Sequence, residues 1–191
     1  YYTNNVDDIT KADIILLPGS KNTLDDLYEL RRNGVAQAIL KASQEGATVM
    51  GICGGYQMMG LEVRDPEGVE GNVRMLPGLG LLPVITTMQG DKVTRQVEFT
   101  FDGTEALCKG YEIHMGRTVP AEGSPPSPFN QLADGREDGY QDKQKKCLGT
   151  YIHGILDNQP FIDFLLAPYI GKLGQQTFDY TAFKEEQYDK L

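Results

Sequence analysis

The run Gly51-Ile52-Cys53-Gly54-Gly55 constrains this chain more than any other segment. It continues Ala47-Thr48-Val49-Met50, apolar and β-branched enough to read as a buried strand, and it leads into Tyr56-Gln57-Met58-Met59, which reads as helix. A chain that passes straight from strand to helix through a cysteine flanked by glycines has few options. The turn forces the cysteine into an uncommon backbone conformation, and its neighbours must be small for the chain to fold back. This is the cysteine counterpart of the G-x-S-x-G elbow, which presents a nucleophile at the edge of a sheet. A thiol there sits at a helix N-terminus, where N–H groups favour the thiolate, and the Gly54 amide is placed to face an oxyanion. Taken alone, the pentapeptide is equally compatible with a buried, inert cysteine in a glycine-rich turn.

The flanking pattern places the elbow in an α/β frame. Ala12-Asp13-Ile14-Ile15-Leu16-Leu17 reads as a strand ended by Pro18-Gly19-Ser20. This second glycine turn falls at the same sheet edge, so the Gly19 and Ser20 amides are candidates for the other half of an oxyanion hole. Thr23 with Asp26 three residues on marks a helix start, with Leu24, Leu27 and Leu30 on one face and Gly34 as its end or break. Val35, Ala36, Ile39 and Leu40 form a second helical pattern that stops near Gly46. Strands alternating with helices predict a mostly parallel sheet flanked by helices. Residues 64–72 read as a polar loop containing Pro66 and Gly68. The second half is β-rich, with strands expected over 79–87, 92–101, 108–114 and 147–153, a proline loop at 124–128 and a solvated hairpin turn within 134–146. Asn158 and Pro160 open a last helix through Leu166.

Composition excludes several function classes. The 191 residues are 40% apolar and 24% charged, which suits one globular domain over residues 1–191. Acids outnumber bases 27 to 18, and a net charge of −9 argues against a nucleic-acid surface. The apolar runs are strand-sized, so no membrane span is expected, and no basic-then-apolar leader is visible. Three widely spaced cysteines, Cys53, Cys108 and Cys147, point to a reduced, cytoplasmic chain rather than a disulfide framework. With two histidines and neither CxxC nor HExxH, no metal site is expected. The start at Tyr1-Tyr2-Thr3 reads as the tail of a strand, and Phe183 to Leu191 reads as helix cut short. The expectation is a fragment of a longer polypeptide, truncated at both ends.

A cysteine nucleophile needs a base, and the candidates are His114 and His153. His153 ends the strand-like run Thr150-Tyr151-Ile152 and precedes Gly154, which predicts an exposed position at a strand end; it is the preferred base. His114 lies within or near the end of a strand.

Together these residues resemble the class I glutamine amidotransferases. Gly51-Ile52-Cys53-Gly54-Gly55-Tyr56-Gln57 is similar to their G-x-C-x-G-x-Q signature. Leu17 to Thr23, Gly110 to Gly116, Gly149 to Gly154 and the tail Lys184 to Leu191 resemble the glutaminase domains of the cobyric acid synthase branch. The resemblance implies a flavodoxin-like α/β fold with Cys53 as nucleophile and His153 as base. It implies an oxyanion and substrate site from Gly19, Ser20, Gly54 and Gln57, acting on L-glutamine. The ammonia would amidate carboxylates of a corrinoid acceptor in cobalamin biosynthesis, on an N-terminal ATP-dependent synthetase domain of the same polypeptide. ATP and Mg belong to that domain; no G-x-x-x-x-G-K-[ST] loop occurs here, and no cofactor is expected on this chain.

Two departures stand out. The acid that most class I members carry two residues after the histidine is Ile155 here, as in the cobyric and cobyrinic acid branch. Asp157 is the nearest substitute, though a helix-capping role suits it better. The strand and helix that open the family's domain before the Tyr1 equivalent are also missing. Glutamine is a zwitterion, and Glu112 is a candidate partner for its charged groups, with a solvated strand carboxylate as the plainer reading. The alternatives are a catalytically weak or inactive docking module, a related cobyrinic acid or cell-wall amidating synthase, and another flavodoxin-like cysteine hydrolase.

Overall fold

The computed structural model describes residues 2–173; the expected helix over 183–191 lies outside them. Residues 2–5 carry no strand, contrary to the expected strand tail. In chain order the elements begin with α1 (Val6–Thr10), β1 (Ile14–Leu17), α2 (Thr23–Arg32), α3 (Val35–Gln44), β2 (Thr48–Ile52) and α4 (Gly54–Met59). Next come β3 (Glu62–Arg64), β4 (Met75–Pro77), β5 (Val84–Thr87), β6 (Val93–Phe101), β7 (Cys108–His114) and β8 (Arg117–Pro120). The last are β9 (Asn130–Leu132), β10 (Glu137–Asp138), β11 (Tyr140–Asp142), β12 (Cys147–Thr150), β13 (Ile152–His153), α5 (Gln159–Leu166) and α6 (Ile170–Leu173).

α1 and α2 start where an asparagine side chain, Asn5 or Asn22, satisfies a free N–H group. Asn22, not Thr23, caps α2, its Oδ1 accepting the Asp25 N–H at 3.0 Å. Asn158 occupies the N-cap position of α5 with Pro160 in its first turn, as expected, so Asp157 does not cap that helix.

Three parallel strands form the centre. β1 pairs with β2 from Ile14↔Thr48 to Leu17↔Gly51, and β12 pairs with the other side of β2 from Cys147↔Val49 to Thr150↔Ile52. β11 closes this sheet antiparallel. Strand side chains alternate across the sheet, so each strand serves two cores. Val49 and Cys147 join Ile15, Leu27 and Ile39 on the face covered by α1 to α4. Met50 and Leu148 join Phe101, Phe129 and Phe161 on the opposite face, closed by α5. Burying each such large side chain contributes roughly 1.5–3 kcal/mol, which is why the parallel strands tolerate almost no polar residue. The rest of the β structure is largely antiparallel, in sheets ordered β10-β9-β6-β7-β13 and β4-β3-β5-β8.

Two expected strands are redrawn. Of residues 79–87, only Val84–Thr87 is strand, because the segment before it turns through the left-handed Gly80 and is broken by Pro83. The 147–153 run is two strands in different sheets, divided at Tyr151. The corner there is held by Asp138. Its Oδ1 accepts the Tyr151 N–H at 3.1 Å, and its Oδ2 accepts Thr150 Oγ1 at 2.5 Å and Asn130 Nδ2 at 2.8 Å. The expected turn in 134–146 resolves into strand segments: β10 pairs back on β9, and β11 on β12. No helix among the described residues is long and apolar enough to cross a membrane.

Candidate active site

β2 ends at Ile52, and Cys53 turns the chain into α4 with φ 54° and ψ −112°. A non-glycine residue at positive φ costs on the order of 1–3 kcal/mol and persists only when its surroundings hold it. Here they do. The Cys53 N–H donates to Thr150 O at 2.8 Å, tying the elbow to the end of β12. A Cβ on Gly54 would lie 2.7 Å from the backbone nitrogen of Ser20, and one on Gly55 would overlap the Leu17 carbonyl oxygen. The glycines therefore let the elbow sink against the end of β1 and the Pro18-Gly19-Ser20 turn, which brings the Ser20 and Gly54 backbones side by side.

His153 arrives by the corner at Tyr151. Thr150 is paired with Ile52, one residue before Cys53; the chain then leaves the parallel sheet, and β13 pairs with β7 so that His153 lies opposite Tyr111. The two rings stack with centroids 5.1 Å apart and planes 10° from parallel. A Cβ on Gly19 would stand 3.2 Å from His153 Cε1 and 3.7 Å from Cys53 Cβ, so these two side chains flank the same glycine. The thiol of Cys53 points at Ile113 O at 3.5 Å, a carbonyl that also faces the His153 ring. His153 Nε2 is buried without a hydrogen-bond partner among the described residues. In an interior where nearly all buried polar atoms are paired, that nitrogen is conspicuous. His153 is half-buried, not exposed as expected. His114 also reaches the cleft, but its ring is engaged: it stacks on Tyr151 at 3.8 Å, its Nδ1 is 3.2 Å from Gly116 O, and Nε2 is 3.9 Å from Glu112.

The electrostatics correct the expectation of a ready thiolate. Burial pushes the Cys53 thiol above its ordinary 9.0, the facing Gly54 N–H pulls it down, and the charge of Glu70 pushes it up again. Burial lowers His153 below 6.5, opposed by the Ile113 carbonyl. The resting pair is thus neutral thiol and neutral imidazole. Ile155, at the position of the missing acid, is fully buried in the core under α5.

Gly19, Ser20, Cys53, Gln57, His114 and His153 all line one cleft of about 650 Å³. Gly54 packs behind this lining against Ser20, so of the residues singled out for the site only Glu112 lies apart. Gln57 has both ends of its amide occupied: Oε1 accepts from Thr23 Oγ1 at 2.8 Å, and Nε2 donates to Met115 O at 2.9 Å and to the Tyr151 hydroxyl Oη at 3.2 Å. It braces the cleft wall. Glu112 lies elsewhere and is buried, bound by Arg95 at 2.8 Å and Arg136 at 3.1 Å, so it is neither solvated nor free for a substrate. Among the described residues, no cluster of three or more His, Cys, Asp or Glu side chains is arranged to hold a metal.

Known proteins share both the sequence pattern and the fold of this chain. Residues 1–161 match the family model of the CobB/CobQ-like glutamine amidotransferase domain. The chain belongs to this family. A protein named cobyric acid synthase from Phocaeicola vulgatus is 70% identical over 192 residues, which is 100% of this chain and 38% of that protein. Another of that name, from Bacteroides fragilis, is 68% identical over 191 residues, again 100% and 38%. The chain therefore spans well under half the length of these curated relatives. A crystal structure of a glutamine amidotransferase superposes with a TM-score of 0.60 at 16% identity, covering 86% of this chain and 83% of its own. At that identity it shows the shared class I amidotransferase fold.

Three contributors to this amidotransferase site were not found from sequence. Tyr111 and the Ile113 carbonyl become visible only through the β7–β13 register. Glu70 enters from the loop over 64–72. There Asp65-Pro66-Glu67-Gly68 carries a type I turn signature, Asp at the first position, Pro at the second and Gly at the fourth. The fully buried Asp65 completes the loop by accepting the Val69 and Glu70 N–H groups, both at 2.8 Å. That signature was the available signal that this polar stretch is an ordered loop.

Proposed function

We propose that this chain is the glutaminase part of a cobyric acid synthase, hydrolysing L-glutamine to glutamate and ammonia. The observation that carries the reading is the left-handed Cys53 at the end of β2, with the unpartnered Nε2 of His153 beside it across Gly19. His153 Nε2 takes the thiol proton as Sγ attacks the side-chain amide carbon. The amides of Gly54 and of the Gly19–Ser20 turn stabilise the oxyanion. The imidazolium returns its proton to the departing nitrogen, releasing ammonia and leaving a thioester. His153 then takes a proton from water, which attacks the thioester; glutamate leaves and the thiol is restored. Because the resting pair is neutral, proton transfer accompanies attack and does not precede it. Gln57 keeps the Thr23 and Met115 walls of the cleft in place.

The ammonia serves ATP-dependent amidation of corrinoid carboxylates, carried out with Mg on a synthetase part supplied by the remainder of the polypeptide. The support is family membership together with the names and greater lengths of the relatives. Three free, buried cysteines suit a reducing cytoplasm.

The test is ammonia release from L-glutamine by the full-length protein, with and without ATP and a corrinoid acceptor. Release should rise with both, and Cys53→Ser should abolish it while leaving amidation from added ammonia intact. Failure of an electrophilic glutamine analogue to label Cys53 would instead favour the docking-module reading, whose argument is Ile155 in place of an acid.

A further inference from the structure

The sheet ordered β4-β3-β5-β8 turns one face to the core and leaves the other bare. Inward, Val63 and Val84 are buried together with Leu24 and Leu27 of α2 and Met59 of α4. Outward, the register lines up two rows. Pro77, Glu62, Ile85 and Val119 form one; Met75, Arg64, Thr87 and Arg117 form the other. Met75 is 51% and Val119 40% exposed, and no residue of either row is buried. A sheet face that stays in water carries polar side chains in alternation with the buried ones. Here Met75, Pro77, Ile85 and Val119 stand outside, around the Glu62–Arg64 ion pair at 2.6 Å. Methionine and arginine are enriched where two surfaces meet, and an interface between domains is more polar than a core. The second row also borders the Cys53 cleft. Arg64 and Met75 are the two ends of the loop that carries Glu70 to it, and Thr87 precedes Met88, which lines it. At this border Arg74 donates to the Gly71 carbonyl at 3.4 Å and, like Arg117, forms no ion pair among the described residues.

We propose that this face is the seat of the synthetase part of the same polypeptide, which covers Met75, Ile85 and Val119 and presents carboxylates to Arg74 and Arg117. Length and place argue for that occupant. The chain makes up 38% of the length of its relatives, so they carry more than enough further chain to cover a four-stranded face. A partner on this face stands beside the mouth of the cleft in which ammonia forms. It also rests on β3 and β4, the strands at either end of the Glu70 loop, so seating bears on the cleft wall as well. Charge agrees: the chain has a net charge of −9, yet these two guanidinium groups at the border are left for acids from elsewhere.

This inference rests on the reading that the remainder of the polypeptide is a synthetase, and its test keeps the two apart. In the full-length protein, Met75→Cys, Val119→Cys and Tyr28→Cys are labelled with a maleimide, and the rate at each site is read by peptide mass. Tyr28, 55% exposed on α2 at the other side of the sheet, is the uncovered control. Met75→Cys and Val119→Cys should react at least about tenfold more slowly than Tyr28→Cys, as groups reached only by opening do. Equal rates at the three sites would show the face bare in the whole protein and overturn the proposal. Protection that disappears on dilution would identify a second copy as the occupant, and overturns it too. Val119→Glu gives the functional readout, because it places a charge inside the seat. Amidation from L-glutamine should fall by about tenfold or more, while amidation from added ammonia and release of ammonia from L-glutamine persist. A Val119→Glu protein that amidates from L-glutamine as fast as wild type overturns the proposal. A wild type that forms no amide from added ammonia overturns the synthetase reading, and this proposal with it.

Discussion

At the scale of single residues, the site replaces a charged orienter by contact. His153 has no carboxylate at position 155; its ring lies flat on Tyr111, opposite it in the β7–β13 pair, with the Ile113 carbonyl at its edge. An aromatic stack of this kind contributes on the order of 0.5–1.5 kcal/mol, enough to fix one ring orientation. Tyr111→Ala should therefore lower kcat by up to about tenfold, while Tyr111→Phe stays near wild type. Burial holds the imidazole below 6.5, and removing the covering ring admits water. The acid limb of the kcat/KM profile should then move to higher pH in Tyr111→Ala and stay in place in Tyr111→Phe. Steady-state kinetics across pH would decide it; a Tyr111→Ala enzyme with unchanged kcat and profile would rule out the positioning role.

At the scale of elements, the separation of β12 from β13 creates the site. If residues 147–153 continued as one strand along β2, His153 would extend the parallel sheet past Ile52 and could not pair with β7. Asp138 prevents this by accepting the Tyr151 N–H, Thr150 Oγ1 and Asn130 Nδ2 at one buried carboxylate. Asp138→Asn brings a second set of donors toward those donors and leaves one unsatisfied, a cost of about 1–3 kcal/mol. The melting temperature should fall by about 2–4 °C for each kcal/mol lost. Activity should fall further than stability accounts for, because the corner positions His153. Calorimetry paired with ammonia release on Asp138→Asn, with the exposed neighbour Glu137→Gln as control, measures both.

At the scale of the whole molecule, two apolar clusters on opposite faces of the parallel strands hold the cleft at their common edge. Both histidines pack at that edge, and burial lowers each below the 6.5 of a free imidazole. Below pH 6.5 the unfolded chain takes up protons that the folded chain refuses. The stability these groups contribute is therefore full above pH 6.5 and is lost as pH falls through their folded values. Denaturant unfolding should show stability rising with pH in that window, and His153→Asn should flatten the rise. An equal slope in the variant would show that His153 titrates alike folded and unfolded.

Much of this protein was legible in its residues. The glycine-flanked Cys53, the Pro18-Gly19-Ser20 turn, the alternation of strand and helix and the G-x-C-x-G-x-Q pattern are local, and local sterics dictate them: an elbow needs glycines wherever it occurs. Cys53, His153, Gly19 and Ser20 were named from the residues and Gln57 from the resemblance; these five line one cleft, with Gly54 packed against Ser20. What depends on contacts between distant segments was not readable. The break at Tyr151 is imposed by Asp138 through side-chain hydrogen bonds, and Glu112 is buried because Arg95 and Arg136 reach it across the sheet. The thiol is protonated at rest because burial outweighs the Gly54 N–H, and Glu70 reaches the cleft because Asp65 and Asn22 pin its loop to α2. Backbone geometry follows from which atoms are bonded in sequence; burial, pairing and charge follow from which atoms meet in space, and only the fold decides that.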